Sequence, residues 1–222
     1  MPHTVRIWDL PTRLFHWSLA VTTVALVVTA KLGGNAMQWH LRLGYVMLAL
    51  LAFRLAWGLV GGRWSRFASF LPTPARLRSH FAHQEGKVTS PGHSPLGALS
   101  VFALLAVLLA QVGTGLLSDD EIAFAGPLTR FVSGECVSQA TWYHKDVGQF
   151  LLVGLVALHL AAIVFYALVR RQALVGAMVH GDRQLPGATP ASRDDALSRA
   201  GAALVAALSA LLAWWVASLG AF

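Results

Sequence analysis

Apolar residues in this chain run in blocks rather than alternating with polar ones. Five blocks of about 20 residues, nearly free of charge, cover Leu14–Leu32, Trp39–Val60, Leu96–Leu117, Tyr143–Val169 and Ala200–Leu219. Each is long enough, as a helix, to cross a hydrocarbon core of about 30 Å. A helix satisfies its own backbone hydrogen bonds in lipid, so the pattern predicts an all-α integral membrane protein. The first block is full length and follows the aromatic lead "VRIWDLPTRLFHW". It is therefore not read as a cleavable signal, whose apolar region is shorter and ends in a small-residue cleavage site.

Between the blocks the punctuation is consistent. "DLPTR" reads as a helix start, with Asp9 as the cap and Pro11 at an early helical position. "KLGGNAMQ" reads as a tight turn between the first two spans. "LPTPARLRSHFAHQEGKVTSPGHSPLG" reads as a proline-framed loop, and "GDRQLPGATPASRDDALSR" as a flexible link to the last span. Trp17, Trp39, Trp57, Trp64 and Trp142 fall near the expected span ends, where amphipathic rings favour the interface. The domain division that follows is a membrane domain of four helices over 1–185, then a link and an additional helix over 186–222.

Composition agrees with the blocks. Charged residues are 12% of the chain, where a soluble domain carries about 25%. The net charge of +7 is explained by its placement. Arg6 and Arg13 precede the first span. Arg63, Arg66, Arg76, Arg78 and Lys87 follow the second, and Arg170, Arg171, Arg183, Arg193 and Arg199 follow the fourth. The opposite links hold Lys31 alone, and Asp119, Asp120, Glu121 and Glu135 against Arg130 and Lys145. Basic loops mark the cytoplasmic side, so the N-terminus is expected inside and the C-terminus outside a bacterial inner membrane. Charge explained by topology gives no reason to expect nucleic acid as a partner; lipid is the expected surroundings. The single cysteine, Cys136, makes no internal disulfide, zinc site or iron–sulfur cluster; it is an incidental thiol or pairs with another chain.

Nine histidines carry the candidate chemistry. His3, His80, His83 and His180 fall in expected cytoplasmic segments, and His93 in a loop just before the third span. His16, His40, His144 and His159 lie within or at the edge of spans, where ionisable residues are costly and functional by default. The expected topology sorts them by depth. His16 and His159 lie toward the cytoplasmic side, His40 and His144 toward the outer side. His144 and His159 are separated by about 22 Å along a uniform α-helix and by about 60° around it, so one helix would present two imidazoles to one interior. Haem iron takes two axial ligands, and facing imidazoles in a helical bundle supply them. Two such pairs predict two haems, with His16 and His159 on one and His40 and His144 on the other. Zinc would need about four ligands at one point. Asp146, near the outer edge of the fourth block, is the only carboxylate within the blocks, so none lies at depth to complete a non-haem iron site. A C-x-x-C-H attachment motif is absent, so haem would be held without thioether bonds.

Other residues stay open at this level. Gly44 and Gly148 each follow a ligand histidine by four; they leave room for a flat macrocycle or serve ordinary close packing. Arg13 and Arg54 pair with a haem propionate or a quinone oxygen, or snorkel to the interface. Tyr45, Gln111 and Tyr166 are polar groups that line a site or do not.

The phrases "VRIWDLPTRLFHW", "HLRLGYVMLALLAFRLAWGLVGGRWSRFASFLPTP", "GHSPLGALS" and "YHKDVGQFLLVGLVALHLAAIVFY" resemble the bacterial cytochrome b561 family, which includes the cytochrome b subunits of nickel–iron hydrogenases. The resemblance covers roughly residues 4–185. It implies a four-helix bundle with two b-type haems, His16 and His159 binding the cytoplasmic-side one and His40 and His144 the outer one. It also implies electron transfer between the membrane quinone pool and a redox partner. That partner would be a hydrogenase or other dehydrogenase, a c-type cytochrome, or a small oxidant or reductant such as superoxide. The quinone would be expected near Arg13 and His16. The fifth helix departs from the four-helix pattern. Two rival readings are a haem-free histidine relay for protons and a membrane anchor whose histidines are structural.

Overall fold

The computed structural model describes residues 3–82 and 91–220; His83 and Lys87 lie outside the described residues, as does the side chain of His80. The elements run β1 (His3–Arg6), α1 (Leu10–Leu32), α2 (Ala36–Val60), α3 (Pro74–Ala82), α4 (Pro95–Leu116), α5 (Gly134–Trp142), α6 (Gln149–Leu168), α7 (Leu174–His180), β2 (Asp182–Leu185) and α8 (Ala196–Ser218). A π-helical turn, Tyr143–Gly148, joins α5 to α6.

Five helical stretches are long and apolar enough to cross a membrane: Leu10–Leu32, Ala36–Val60, Pro95–Leu116, Gly134–Leu168 and Ala196–Ser218. All begin before the apolar blocks do, the fourth by nine residues. There Ser133 Oγ accepts the Cys136 N–H at 3.3 Å and caps α5, whose polar sequence carries the helix beyond its apolar part. Along α1, Leu14, Trp17, Val21, Val24 and Val28 are between 43% and 68% exposed. An apolar stripe facing outward at helical spacing is what lipid, not water, accommodates. Between α1 and α2, Gly33 and Gly34 take φ of 63° and 52°, the left-handed conformations a two-glycine turn supplies.

The chain divides into two compact units, residues 1–14, 54–103 and 155–203, and residues 15–53, 104–154 and 204–222. In the first unit β1 pairs antiparallel with β2, His3 opposite Leu185 and Arg6 opposite Asp182. Val5, Ile7, Trp8, Ala177 and Leu185 form a core beneath this ribbon, with Trp64 and Met178 against it. The residues after β2, expected as a flexible link, are pinned instead. Ser192 N–H donates to Arg6 O at 2.7 Å and Ser192 Oγ to Ile7 O at 2.7 Å. Asp194 pairs with Arg6 and Arg199 and accepts the Leu10 N–H. Gly and Pro composition signalled freedom, but long-range polar contacts override it.

Asp9 organises the same unit. It is fully buried. Its carboxylate accepts the Thr12 N–H at 2.8 Å, as a helix cap should, and also Ser65 Oγ at 2.7 Å and Trp57 Nε1 at 3.3 Å. Trp57 is thus a buried donor, a correction to its expected interfacial place. In the second unit, Asp120 Oδ1 accepts the N–H groups of Ile122, Ala123 and Phe124, shaping the turn after α4. These three bonds hold the Asp120 carboxyl below its ordinary range.

Candidate haem site

His40 on α2 and His144 in the π-turn face each other within the second unit. Their ring centroids are 6.1 Å apart and their planes 83° apart. Each ring is held from behind by a backbone carbonyl. His40 Nδ1 lies 3.0 Å from Leu26 O, and His144 Nδ1 lies 2.9 Å from Gln111 O. A carbonyl only accepts, so each Nδ1 carries the proton and each Nε2 keeps its lone pair. This is how ligating imidazoles are oriented: one nitrogen donates to the protein and the other is left for the metal.

Both rings line a cavity of about 630 Å³. Its lining is mostly apolar, Met47, Leu108, Leu152 and Val153 included; Lys31 at the end of α1 and Thr141, Lys145 and Gln149 around the α5–α6 junction add a polar part. Tyr45 and Gln111 line it too.

A π-turn and a side chain from a neighbouring helix explain the His144 geometry. A π-turn leaves a carbonyl out of the α-helical pattern, and such turns are frequent at functional sites. Here the His144 carbonyl is taken by Gln111 Nε2 at 2.9 Å. The fourth helix is therefore not uniformly α between His144 and His159, and the angle between them departs from the uniform-helix value. Gly115 makes space for the ring, since a Cβ there would come within 2.8 Å of His144 Cε1. The two glycines that follow a histidine by four play different parts. A Cβ at Gly44 would meet no atom within 4 Å, and Gly44 lines the cavity; a Cβ at Gly148 would run into Gln111 Oε1. Gly44 leaves open space, and Gly148 permits close packing.

His16 is half-buried on α1 in the second unit, its ring 5.3 Å from that of Trp17. His159 is half-buried on α6 in the first unit. Arg13 Nη1 donates to Val179 O at 2.6 Å. Arg54 is buried, donates to Ser65 O at 3.0 Å and lies 4.5 Å over the Phe67 ring. Tyr166 packs its ring on Phe165. His93 is sandwiched by Trp8 at 4.7 Å and Phe70 at 4.2 Å, an aromatic packing role that its loop position did not signal.

The residues fit haem. A metal–imidazole bond is about 2 Å, as measured on zinc, so two imidazoles on opposite sides of one iron place ring centres roughly 6 Å apart. His40 and His144 have that spacing, the Nδ1 of each on a backbone carbonyl, and a largely apolar cavity around them.

Comparison with known proteins points the same way. Residues 7–181 match the family described as prokaryotic cytochrome b561. A "Probable Ni/Fe-hydrogenase B-type cytochrome subunit" from Bradyrhizobium diazoefficiens is 24% identical over 218 residues, covering 82% of this chain and 86% of the relative. Its namesake from Azotobacter vinelandii is 26% identical over 220 residues, covering 84% and 91%. That from Rhodobacter capsulatus is 25% identical over 215 residues, covering 81% of each. No solved structure matches the chain. With the family matched over most of its length and five helices long and apolar enough to span, the chain belongs to the prokaryotic cytochrome b561 family and is a multi-pass, haem b electron-transfer protein.

Proposed function

We propose that this chain is a di-haem b-type cytochrome of the bacterial inner membrane, passing electrons between a quinone and a redox partner. The observation that carries the reading is the His40–His144 pair, with both Nδ1 atoms bound to backbone carbonyls and both rings in one apolar cavity. Haem b held there supplies a one-electron iron couple. The chain's own residues orient the two imidazoles, fix their tautomers and keep the ligating nitrogens in a low-dielectric surrounding.

His16 and His159 are the proposed ligands of a second haem, by their place on the spans and by the family resemblance. Arg13 and Arg54 are proposed near a propionate or quinone. The distribution of basic loops supports an N-terminus in the cytoplasm and a C-terminus outside. The relatives' names make a nickel–iron hydrogenase the first partner to test.

The test is a reduced-minus-oxidised spectrum of purified protein with haem counted per chain, beside His16→Ala, His40→Ala, His144→Ala and His159→Ala. Two b-type haems are expected, with His40→Ala and His144→Ala removing one and the other two variants removing the second. A colourless protein from haem-replete cells would overturn the reading and bring the histidine relay forward.

A further inference from the structure

We propose that Lys31 and Lys145 form a carboxylate-binding subsite in the polar part of the His40–His144 cavity, which takes the propionates of the haem bound there. This inference rests on the cytochrome reading and extends it to how that haem is oriented and tuned.

The cavity lining is mostly apolar, while Lys31 from the last turn of α1 and Lys145 from the π-turn supply its two cations where those helices end and begin. Haem b is apolar except for one edge that carries two carboxylates. A carboxylate buried without a partner is strongly disfavoured. The macrocycle therefore enters with its carboxylate edge toward the lysines.

Both cations are available. Lys31 Nζ donates to Gln149 Oε1 at 2.9 Å, a neutral acceptor; the charge of Lys145 reaches Asp120, but neither lysine forms a direct ion pair among the described residues. Three carboxylates also line the cavity: Asp119, Asp120 and Asp146. Two of them are turned to the loop's own backbone. Asp119 Oδ1 accepts the Glu121 N–H at 2.6 Å, and Asp120 Oδ1 accepts three N–H groups. Asp146 adjoins Lys145 in the π-turn. Against this acidic background, an entering carboxylate edge needs both lysines.

A cation beside the propionates disfavours the ferric state, which carries one more positive charge. Its removal lowers the reduction potential. The test is an anaerobic redox titration of the full-length protein, following the haem component that disappears in His40→Ala. Lys31→Met and Lys145→Met are each expected to lower that midpoint, and the double variant to lower it further or release that haem. Lys31→Arg and Lys145→Arg should stay near the parent. Arg42→Gln removes a cation that stacks on Trp39 and does not line the cavity, and should shift it less. An unchanged midpoint in a double Met variant with full haem would overturn the subsite. So would loss of that haem in the Arg variants, because charge would then not be the operative property. A haem-free parent protein is a different failure, that of the cytochrome reading itself.

Discussion

His144 and Gln111 hold each other by two reciprocal hydrogen bonds. The imidazole Nδ1 lies 2.9 Å from the Gln111 carbonyl, and the Gln111 side-chain amide returns a 2.9 Å bond to the His144 carbonyl. The first bond sets the tautomer of the imidazole, and the second closes the backbone gap that the π-turn opens. Ring direction and helix distortion are thereby fixed by one residue on a neighbouring helix.

Gln111→Leu keeps the first bond and removes the second. The His144 carbonyl then lacks its partner, at a cost of roughly 1–3 kcal/mol. The thermal loss of haem absorbance should begin at lower temperature than in the parent, and the midpoint of the His40–His144 haem should move. A melting curve and a redox titration check both.

Two glycine substitutions separate ring positioning from cavity occupancy. Gly115→Ala would press on the His144 ring, so haem retained per chain should fall toward half. Gly44→Ala meets no protein atom, so the fold should be untouched. Haem loss in Gly44→Ala would report contact with the cavity's occupant. Haem quantification beside circular dichroism distinguishes the two effects.

Asp9→Ala should be strongly destabilising. It strips the acceptor from Thr12 N–H, Ser65 Oγ and Trp57 Nε1 at once, in a fully buried place. Breaking such a buried charged network costs on the order of 3 kcal/mol. The expected readout is a lower melting temperature in detergent, followed by tryptophan fluorescence.

Asp194 gives the first unit a pH dependence of known sign. Burial pushes its carboxyl up, but the hydrogen bond from Arg199, the Leu10 N–H and the charges of Arg199 and Arg6 outweigh burial and hold it below the ordinary range. A folded-state value below the unfolded one, about 3.9, contributes stability above that pH. The contribution is lost as pH falls through the folded value. The Asp194 contribution should therefore be level from neutral pH to about 5 and decline below about 4. Asp194→Asn should flatten that decline while lowering stability at neutral pH. Denaturation followed from pH 7 to pH 3 is the measurement.

The sequence by itself determined the class of molecule. Twenty-residue apolar blocks admit only spanning helices, and costly histidines within them singled out His16, His40, His144 and His159. The cap at Asp9 and the glycine turn at Gly33 and Gly34 were also legible, because both are local chemistry. Only the tertiary structure decided what depends on residues far apart in the chain. The β1–β2 ribbon joins positions about 180 residues apart, so no local pattern announces it. The pinned link at Ser192 and Asp194 reads as free from composition alone. The π-turn at His144 is held by Gln111, 33 residues earlier, and Lys31 meets Gln149 from another helix. Spacing finds which side chains are too costly to be idle. Packing alone decides which ring nitrogen a backbone carbonyl takes and which side chains come to line one cavity.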